Sequence, residues 1–374
     1  MSTEFAAVLH DMLAGAGVPG AARRWADGEL APGLAVWRQL AGLGVTALAV
    51  PEKWDGLGAS PLDLVAACEE LGHHAVPGPV AESLAAGPVL LSDMGSCGEW
   101  LAGLAAGDLI ATLAMPPWLP YAADAEAAGL VLLAALADGD SRGGWPGDAG
   151  SSGEWLAGLA AGDLIGTLAM PPRLPFAADA DAAGLVLRAD GGVVCLARPG
   201  TRHRSVDPAR SLSEAHADRV LARGAADAAA RALDWGALAC SAQLLGAGRA
   251  LLEASVRHAG ARRQFGQPVG AFQAVKHRLA DVTIGLEFAR PLLDAAALAL
   301  AADGPTAARD VSAAKVACAD AAYLAARAAL QVHGAIGYTA EHDLSLWLLK
   351  VRALVPAWGS QAEHRARILR ELGP

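Results

Sequence analysis

Small and apolar residues recur at alternating steps of four and three along two long stretches of the C-terminal part of the chain. The first set is Leu233, Ala237, Cys240, Leu244, Ala247, Leu251 and Ala254, and the second is Phe272, Val275, Leu279, Val282 and Leu286. This spacing places each set on one helical face and predicts that both faces are buried. Helices are predicted near 226–262, 271–302, 306–333 and 341–371, and four long helices with short connectors indicate an antiparallel bundle.

The rest of the chain divides into a helical part and a strand-rich part. Residues 1–107 predict helices near 3–15, 33–43, 61–74, 79–92 and 98–106. Short apolar runs interrupted by Pro and Gly follow, among them 192–197 and 218–223, and they predict strands. The predicted fold class is therefore α+β, with an N-terminal helical domain at 1–107, a middle β-domain at 108–224 and a C-terminal helical bundle at 225–374.

A tandem duplication lies inside the predicted β-domain. Residues 98–134 are repeated at 153–189, and 135–152 form a polar, Gly-rich seam between the copies. The copies differ only at Ala111/Gly166, Trp118/Arg173, Tyr121/Phe176, Glu126/Asp181 and Leu133/Arg188. Two copies are too few for a solenoid, which needs three or more stacked units. Which copy holds the ordinary place in the sheet stays open at this level.

Composition excludes several classes of function. The formal net charge of −10 argues against a nucleic-acid partner. The sequence contains no apolar run long enough to span a bilayer. Its N-terminus carries acids early and no basic region, so a cytoplasmic protein without a secretory signal is expected. The five cysteines are predicted to be reduced, and no His, Cys or acid spacing suggests a metal site.

The connector between the first two bundle helices, residues 257–281, is rich in chemistry for a helix turn. Arg262 and Arg263 end one helix, Phe265 follows, and Gln273 lies in the first turn of the next. Guanidinium groups suit phosphate oxygens, and free N–H groups at a helix start favour an anion. The alternative is that the arginines only complement the helix dipole and that Phe265 is a core residue.

Three separated blocks of the sequence resemble signatures of the acyl-CoA dehydrogenase family. They are RRQFGQPVGAFQAVKHRLAD in the connector, QVHGAIGYTAEHD at 331–343, and VPEKWDGLGAS at 50–60 with EELG at 69–72. The resemblance implies the family's fold, with a helical N-terminal domain, a small β-domain and a four-helix bundle. It also implies FAD as cofactor and an acyl-CoA or other acyl thioester as substrate.

The resemblance assigns cofactor-binding residues one by one. Arg263, Phe265 and Gln273 would bind the ADP part of FAD from a neighbouring subunit. From the second block, Gln331, Gly334 and Gly337 would hold the pyrophosphate region, and Ser360 stands where the family has a Thr beside the base. For 331–338 a simple helix C-cap and turn is the alternative, because Gly334 and Gly337 would serve it unaided.

The family's catalytic base, a carboxylate, has no counterpart at either of its usual positions. Trp358 occupies the place on the last helix, and Gly236 occupies the place on the helix before the connector. Asp234 is predicted to point away from that face, and Gln243 is neutral, so the catalytic residue stays unknown.

Further departures fall on the acyl and flavin-ring side. Ala237 stands where an Arg of the family approaches the CoA nucleotide, and Ala335 replaces a Gly. The stretch that matches the family's flavin-contacting segment is LAMPPRLPF, or LAMPPWLPY in the other copy, and the family's hydroxyl donors to the flavin ring are missing from it. Glu341, His342 and Asp343 are expected to cap the last helix. The sequence resembles the smaller, base-lacking subunit of a heterodimeric or heterotetrameric acyl-CoA dehydrogenase. Two alternatives are a self-sufficient homo-oligomer with a displaced base and a non-redox protein on the same scaffold.

Overall fold

The computed structural model describes residues 3–94, 98–107, 111–114, 130–133, 166–167, 185–190 and 193–373. Eleven α-helices lie in these ranges. They are α1 (Thr3–Gly15), α2 (Val18–Ala26), α3 (Ala31–Gly42), α4 (Pro61–His73), α5 (Gly87–Met94), α6 (Gly98–Ala106), α7 (Ala226–Ala261), α8 (Gln273–Ala301), α9 (Ala307–His333), α10 (Leu344–Leu354) and α11 (Gln361–Leu372). The α+β class predicted from the sequence is confirmed.

The N-terminal helices follow the predicted order with two differences. The sequence pattern missed α2, whose segment VPGAARRWA contains both a Pro and a Gly; the Pro stands in the first turn, where a missing N–H costs nothing. The helix expected at 79–92 is present at 80–94, but it contains a π-helical turn, Glu82–Ala86, directly before α5. Ser60 and Asp63 form a capping box that starts α4.

The strands show how the duplicated segments pair. They are β1 (Ala111–Ala114), β2 (Leu130–Leu133), β3 (Gly166–Thr167), β4 (Leu185–Asp190), β5 (Val193–His203) and β6 (Leu212–Arg223). In the first copy Ala111 pairs in parallel with Leu130, and in the second the equivalent Gly166 pairs with Leu185. Among the described strands, those of the second copy join the larger sheet, in the order β3-β4-β5-β6, while β1 and β2 pair with each other. The seam at 135–152 lies outside the described residues.

The bundle packs on the N-terminal helices through glycines. A Cβ built on Gly72 of α4 would lie 2.1 Å from the Gln243 carbonyl oxygen of α7. A Cβ on Gly246 would lie 1.9 Å from the Glu69 carbonyl oxygen. The two helices therefore touch backbone to backbone, which no larger residue would allow at these points. The core runs continuously from α1 through α4 and α7 to α9.

The single fourth helix predicted at 341–371 is wrong, because the chain breaks it into α10 and α11. Trp358 and Gly359 both have positive φ, at 60° and 101°, and a helix cannot continue through such residues. The buried Lys315 ammonium donates to the Val355 carbonyl, at 2.8 Å, and so satisfies the end of α10. Ser360 and Glu363 then start α11 with a capping box. By contrast, α8 runs without interruption through Pro291.

Among the described residues, Cys68, Cys240 and Cys318 are buried free thiols. No single helix there is long and apolar enough to cross a membrane, although the bent pair Glu4–Gly15 and Val18–Ala26 passes that test together.

Candidate functional site

The connector between α7 and α8 forms a small exposed hairpin. Its strands are β7 (Arg263–Gln264) and β8 (Gln267–Pro268), and the Val269 N–H donates to the Arg262 carbonyl at 2.8 Å to close it. Phe265 stands at the tip with φ of 49° and is 92% exposed. The alternative that Phe265 is a core residue is therefore wrong for this chain. An exposed aromatic ring in a left-handed conformation suits contact with a ligand or another chain.

Two polar side chains flank that aromatic tip. Arg263 is exposed, and its Nη2 donates only to the Gly266 carbonyl within the same turn, at 3.3 Å. Gln273 begins α8, is also exposed, and follows an N-cap residue, Phe272, whose side chain cannot cap the helix. The first N–H groups of α8 therefore lack a side-chain acceptor, an arrangement that favours an anion.

The second block closes α9 beside the same hairpin. Gly334 ends the helix with φ of 69°, and a 3₁₀ turn, Gly334–Tyr338, follows. Gln331 is exposed, whereas Gly337 is buried, with its Cβ position 3.1 Å from that of His333. The helix-ending role considered for Gly334 is thus what the backbone shows, since the Gly334 N–H donates to the Leu330 carbonyl at the end of α9.

The two blocks meet at the ends of their helices. His258 lies one turn before Arg262 on α7, and His333 lies directly before Gly334 on α9. Their imidazole rings stack with centroids 4.2 Å apart. The fold therefore brings the Arg263 hairpin and the Gly334 turn to one end of the bundle, although some 70 residues separate them in the chain.

The two positions that the resemblance matches to the family's base, Gly236 and Trp358, lie against each other. A Cβ built on Gly236 would lie 2.2 Å from Cζ3 and 2.4 Å from Cε3 of the Trp358 ring. Trp358 is only 1% exposed, so its indole fills the space beside Gly236. Neither residue can accept a proton. The space that a carboxylate at either position would need is therefore filled by the Trp358 ring packed on Gly236.

A carboxyl group that the sequence reasoning did not single out lies next to this indole. Glu82, in the π-helical turn, is buried and within hydrogen-bonding reach of Trp358. Burial raises the pKa of Glu82, and Arg210, whose Nη2 is 3.7 Å from Oε1, only partly offsets it. The sequence feature that could have identified Glu82 is its place as the single acid in the apolar stretch PGPVAESLAAGPVLL.

Buried positive charge accompanies Glu82. Lys350 of α10 donates to the Val76 carbonyl at 2.9 Å and lies 3.9 Å from Asp207. Arg210 and Asp207 are both buried, on the turn between β5 and β6. Two carboxyl groups and two cationic side chains thus share a buried region, where each charge is stabilised by its partners rather than by water.

Other residues weighed from the sequence have structural partners. Asp234 makes a bidentate pair with Arg367 of α11, so it does point away from the Gly236 face; burial raises its pKa despite that pair. Gln243 is buried and its amide donates to the Ala239 carbonyl at 3.5 Å. Ser360 accepts a hydrogen bond from the Glu363 N–H as a helix cap, and a cofactor contact by it stays a prediction.

The cap expected from Glu341, His342 and Asp343 takes a different form. The His342 Nδ1 accepts from the Leu344 N–H at 3.2 Å, so the imidazole caps α10. The Asp343 carboxylate makes no cap hydrogen bond and pairs instead with Arg23 of α2 at 2.6 Å.

Both the N-terminal and the C-terminal parts of the chain match domains of one known family. Residues 2–108 match the acyl-CoA dehydrogenase N-terminal domain, and residues 223–373 match the acyl-CoA dehydrogenase C-terminal domain. Among curated relatives, acyl-CoA dehydrogenase IpdE2 of Mycobacterium tuberculosis is 27% identical over 90% of this chain and 86% of its own length.

Solved structures share the fold along the whole chain. The ChsE4-ChsE5 complex from Mycobacterium tuberculosis superposes with a TM-score of 0.72 and 24% identity, covering 99% of this chain and 96% of that one. A glutaryl-CoA dehydrogenase from Mycobacterium smegmatis in complex with FADH2 gives a TM-score of 0.70 and 17% identity, covering 100% and 95%. Identities this low carry the fold only.

Proposed function

Because the chain belongs to the acyl-CoA dehydrogenase family, we propose that it is one subunit of an FAD-dependent acyl-CoA dehydrogenase and acts with a homologous, base-bearing subunit. The reaction removes a proton and a hydride from adjacent carbons of an acyl thioester and leaves an α,β double bond. Bound FAD supplies the hydride-accepting chemistry. The two subunits together would bind and orient the thioester, and the partner would hold the base at the α-carbon.

The exposed end of the bundle fits the nucleotide part of FAD. Arg263 has spare guanidinium donors for a pyrophosphate, and Phe265 offers a bare ring face to a base. Gln273, Gln331 and the Gly334 turn are exposed beside them. Because these groups are exposed rather than packed into the core of this chain, they support a cofactor that lies between this chain and a neighbouring subunit. Ser360 and Gly337 would then act through the backbone that they shape.

The observation that carries the proposal of a second subunit is the indole packed on Gly236. An acyl-CoA dehydrogenase needs a carboxylate that can take an α-proton near neutral pH. Here both usual positions are filled by a Trp–Gly contact with no room for an acid. A homologous partner that carries the base restores the function, as a heterodimer or heterotetramer. The ChsE4-ChsE5 structure is a complex of two named chains, which supports this kind of partner.

The test compares the chain alone with the chain co-expressed with a base-bearing homologue. Flavin absorbance and acyl-CoA-dependent reduction of that flavin are measured in both preparations. The proposal expects bound flavin and turnover only in the mixed complex. Turnover by the lone chain would overturn the need for a partner, and absence of flavin from both preparations would overturn the cofactor assignment.

Glu82 favours a second candidate, a self-sufficient dehydrogenase with a displaced base. Its carboxyl is buried beside Trp358, and its raised pKa brings it closer to that of a working base. In the leading proposal Glu82 only balances the Arg210 charge. Glu82→Gln keeps the shape and removes the proton acceptor.

The two roles of Glu82 predict different rates. As a base, its loss should lower the rate of flavin reduction roughly 10²-fold or more. As a structural partner of Arg210, its loss should leave the rate per bound flavin within a few-fold. Glu341→Gln, an exposed acid, is the matched control, and flavin content with far-UV circular dichroism shows whether each variant is folded.

A further inference from the structure

A cavity of about 510 Å³ collects six of the ten histidines of the chain. It lies where α1, the end of α4, the end of α7 and the turn before α10 meet. The six are His10, His73, His74, His258, His333 and His342. Only His333 and His342 belong to a nucleotide-binding block, and His258 lies one turn before the other, so the family function does not account for His10, His73 and His74.

Three of these histidines and Glu70, which lies beside the cavity, converge on one point. His10, Glu70, His73 and His74 each offer a ligand atom, and these atoms all lie within 4.8 Å of one another. The His10 Nδ1 is 2.8 Å from the Glu70 Oε2 and 3.2 Å from the His74 Nε2. In a tetrahedral zinc site with bonds near 2.0–2.1 Å, neighbouring ligand atoms are about 3.3 Å apart. Small movements would therefore bring these atoms to coordination distances.

Hydrogen bonding alone satisfies this group poorly. If the His10 Nδ1 carries a proton, it serves Glu70, and the His74 Nε2 is left to share it at 3.2 Å. If the proton sits on His74 instead, two acceptors, Nδ1 and the carboxylate, face each other at 2.8 Å. A cation at the centre would accept lone pairs from all of them at once.

His73 has the partner that metal-binding histidines usually have. Its Nε2 lies 3.0 Å from the Glu253 Oε2, which fixes a proton on that nitrogen. The other nitrogen, Nδ1, is buried and has no hydrogen-bond partner. A carboxylate behind one ring nitrogen, with the lone pair of the other left free, is the common outer-shell arrangement of a metal-bound histidine.

We propose that His10, His73, His74 and Glu70 bind a divalent transition-metal ion of the zinc class. Neutral imidazoles with one carboxylate suit that class. Arg249 donates to both Glu69 and Glu70, at 2.7 and 2.6 Å, and so holds Glu70 in place. The cavity provides an entry path. The ion would join α1 to the end of α4.

Three of the four ligands, Glu70, His73 and His74, lie within about one turn at the end of α4. The fourth, His10, is more than 60 residues away on α1, and no spacing in the sequence links it to the other three. The charges around the site are mixed, with Glu69, Glu70 and Glu253 facing Arg249, Arg257 and Arg290. A divalent ion would therefore meet no large excess of positive charge.

The experiment measures Zn²⁺ binding to the full-length, tag-free protein after treatment with a chelator. Calorimetric titration should show one Zn²⁺ per chain. His10→Ala and His74→Ala should each weaken binding by roughly 100-fold or more, and Glu253→Gln by about 10–100-fold. His277→Ala removes an exposed histidine of α8 outside the cavity and should leave binding unchanged.

Co²⁺ gives a second readout that weak surface binding would not produce. Bound in place of Zn²⁺, it should show the intense visible absorption of a tetrahedral site, and this should be lost in His10→Gln, a milder change at a half-exposed position. Absence of Zn²⁺ binding by the wild-type chain would overturn the proposal. So would binding that survives His74→Ala in a folded protein, or that is lost equally in His277→Ala. None of these outcomes depends on whether flavin is bound.

Discussion

Adding one methyl group at Gly236 tests the packing of the two base positions. The new Cβ would lie 2.2–2.4 Å from three carbons of the Trp358 ring, whereas carbon atoms in contact prefer about 3.5–4.0 Å. The ring would have to retreat by more than about 1 Å. Trp358 is buried and has φ of 60°, and its carbonyl accepts from the His364 Nε2 at 2.8 Å. Gly236→Ala should therefore destabilise the protein by about 1–3 kcal/mol, the usual cost of overpacking.

The matched control is the same substitution at Gly285, inside α8. Its Cβ would meet Leu324 and Ala321 at 3.7–3.8 Å, which is ordinary contact. Gly285→Ala should be neutral or stabilising by up to about 1 kcal/mol, because Ala is the better helix former. Urea unfolding followed by far-UV circular dichroism reports both, since the ten tryptophans would mix signals in fluorescence. Equal midpoints for the two variants would refute the packing argument.

A double-mutant cycle ties the cost to the indole. Trp358→Ala alone should cost about 3–5 kcal/mol through the cavity it leaves. In that background Gly236→Ala should cost little, because the clash has gone. The coupling free energy between the two sites should then be at least about 1 kcal/mol. A coupling near zero would mean that the methyl group acts through something other than the ring.

Three further outcomes are expected. Arg263→Ala should weaken flavin retention by about 1.5–3 kcal/mol through one lost charge-assisted contact, measured by flavin release on dilution, while the exposed Arg24→Ala should not. Burial lowers the pKa of His364 from 6.5 to about 4, so the folded protein keeps this imidazole neutral. Because the unfolded chain takes up the proton first as the pH falls, the free energy of unfolding should drop by about 2 kcal/mol through His364 between pH 7 and 5. His364→Gln should flatten that part of the urea-midpoint profile. Asp234→Asn should cost about 3 kcal/mol in the same assay, because it leaves the Arg367 guanidinium buried without its charge partner, and a cost below 1 kcal/mol would contradict this.

The periodic pattern located the long helices because each buries one continuous face. The predicted 226–262 and 306–333 match Ala226–Ala261 and Ala307–His333 closely. The same pattern could not show the break before α11, since apolar spacing continues on both sides of it. That break depends on Trp358 adopting a positive φ, which few residues other than Gly and Asn do without tertiary support.

Candidate site residues could be named from the sequence where they are local, and not where the fold brings them together from distant parts. Arg263 and Phe265 stand in one turn whose residue types suit an anion and an aromatic contact, whereas their role in binding FAD comes from the family resemblance and stays a prediction. Glu82 and Arg210 are some 130 residues apart, and no spacing links them. The histidine cavity draws on four helices in the same way. Only the fold reveals which of these charged groups are neighbours.

The contact between Trp358 and Gly236 also explains why the base cannot easily return. An acid at position 236 would need the space that the indole fills. An acid at position 358 would stand beside Glu82, and two buried carboxylates at short range cannot both be ionised near neutral pH. Arg210, 3.7 Å from Glu82, is a single charge and cannot balance both. Regaining a base at either position therefore requires several changes at once, so a proton acceptor from elsewhere, on a partner subunit or at Glu82 itself, is the physically simpler solution.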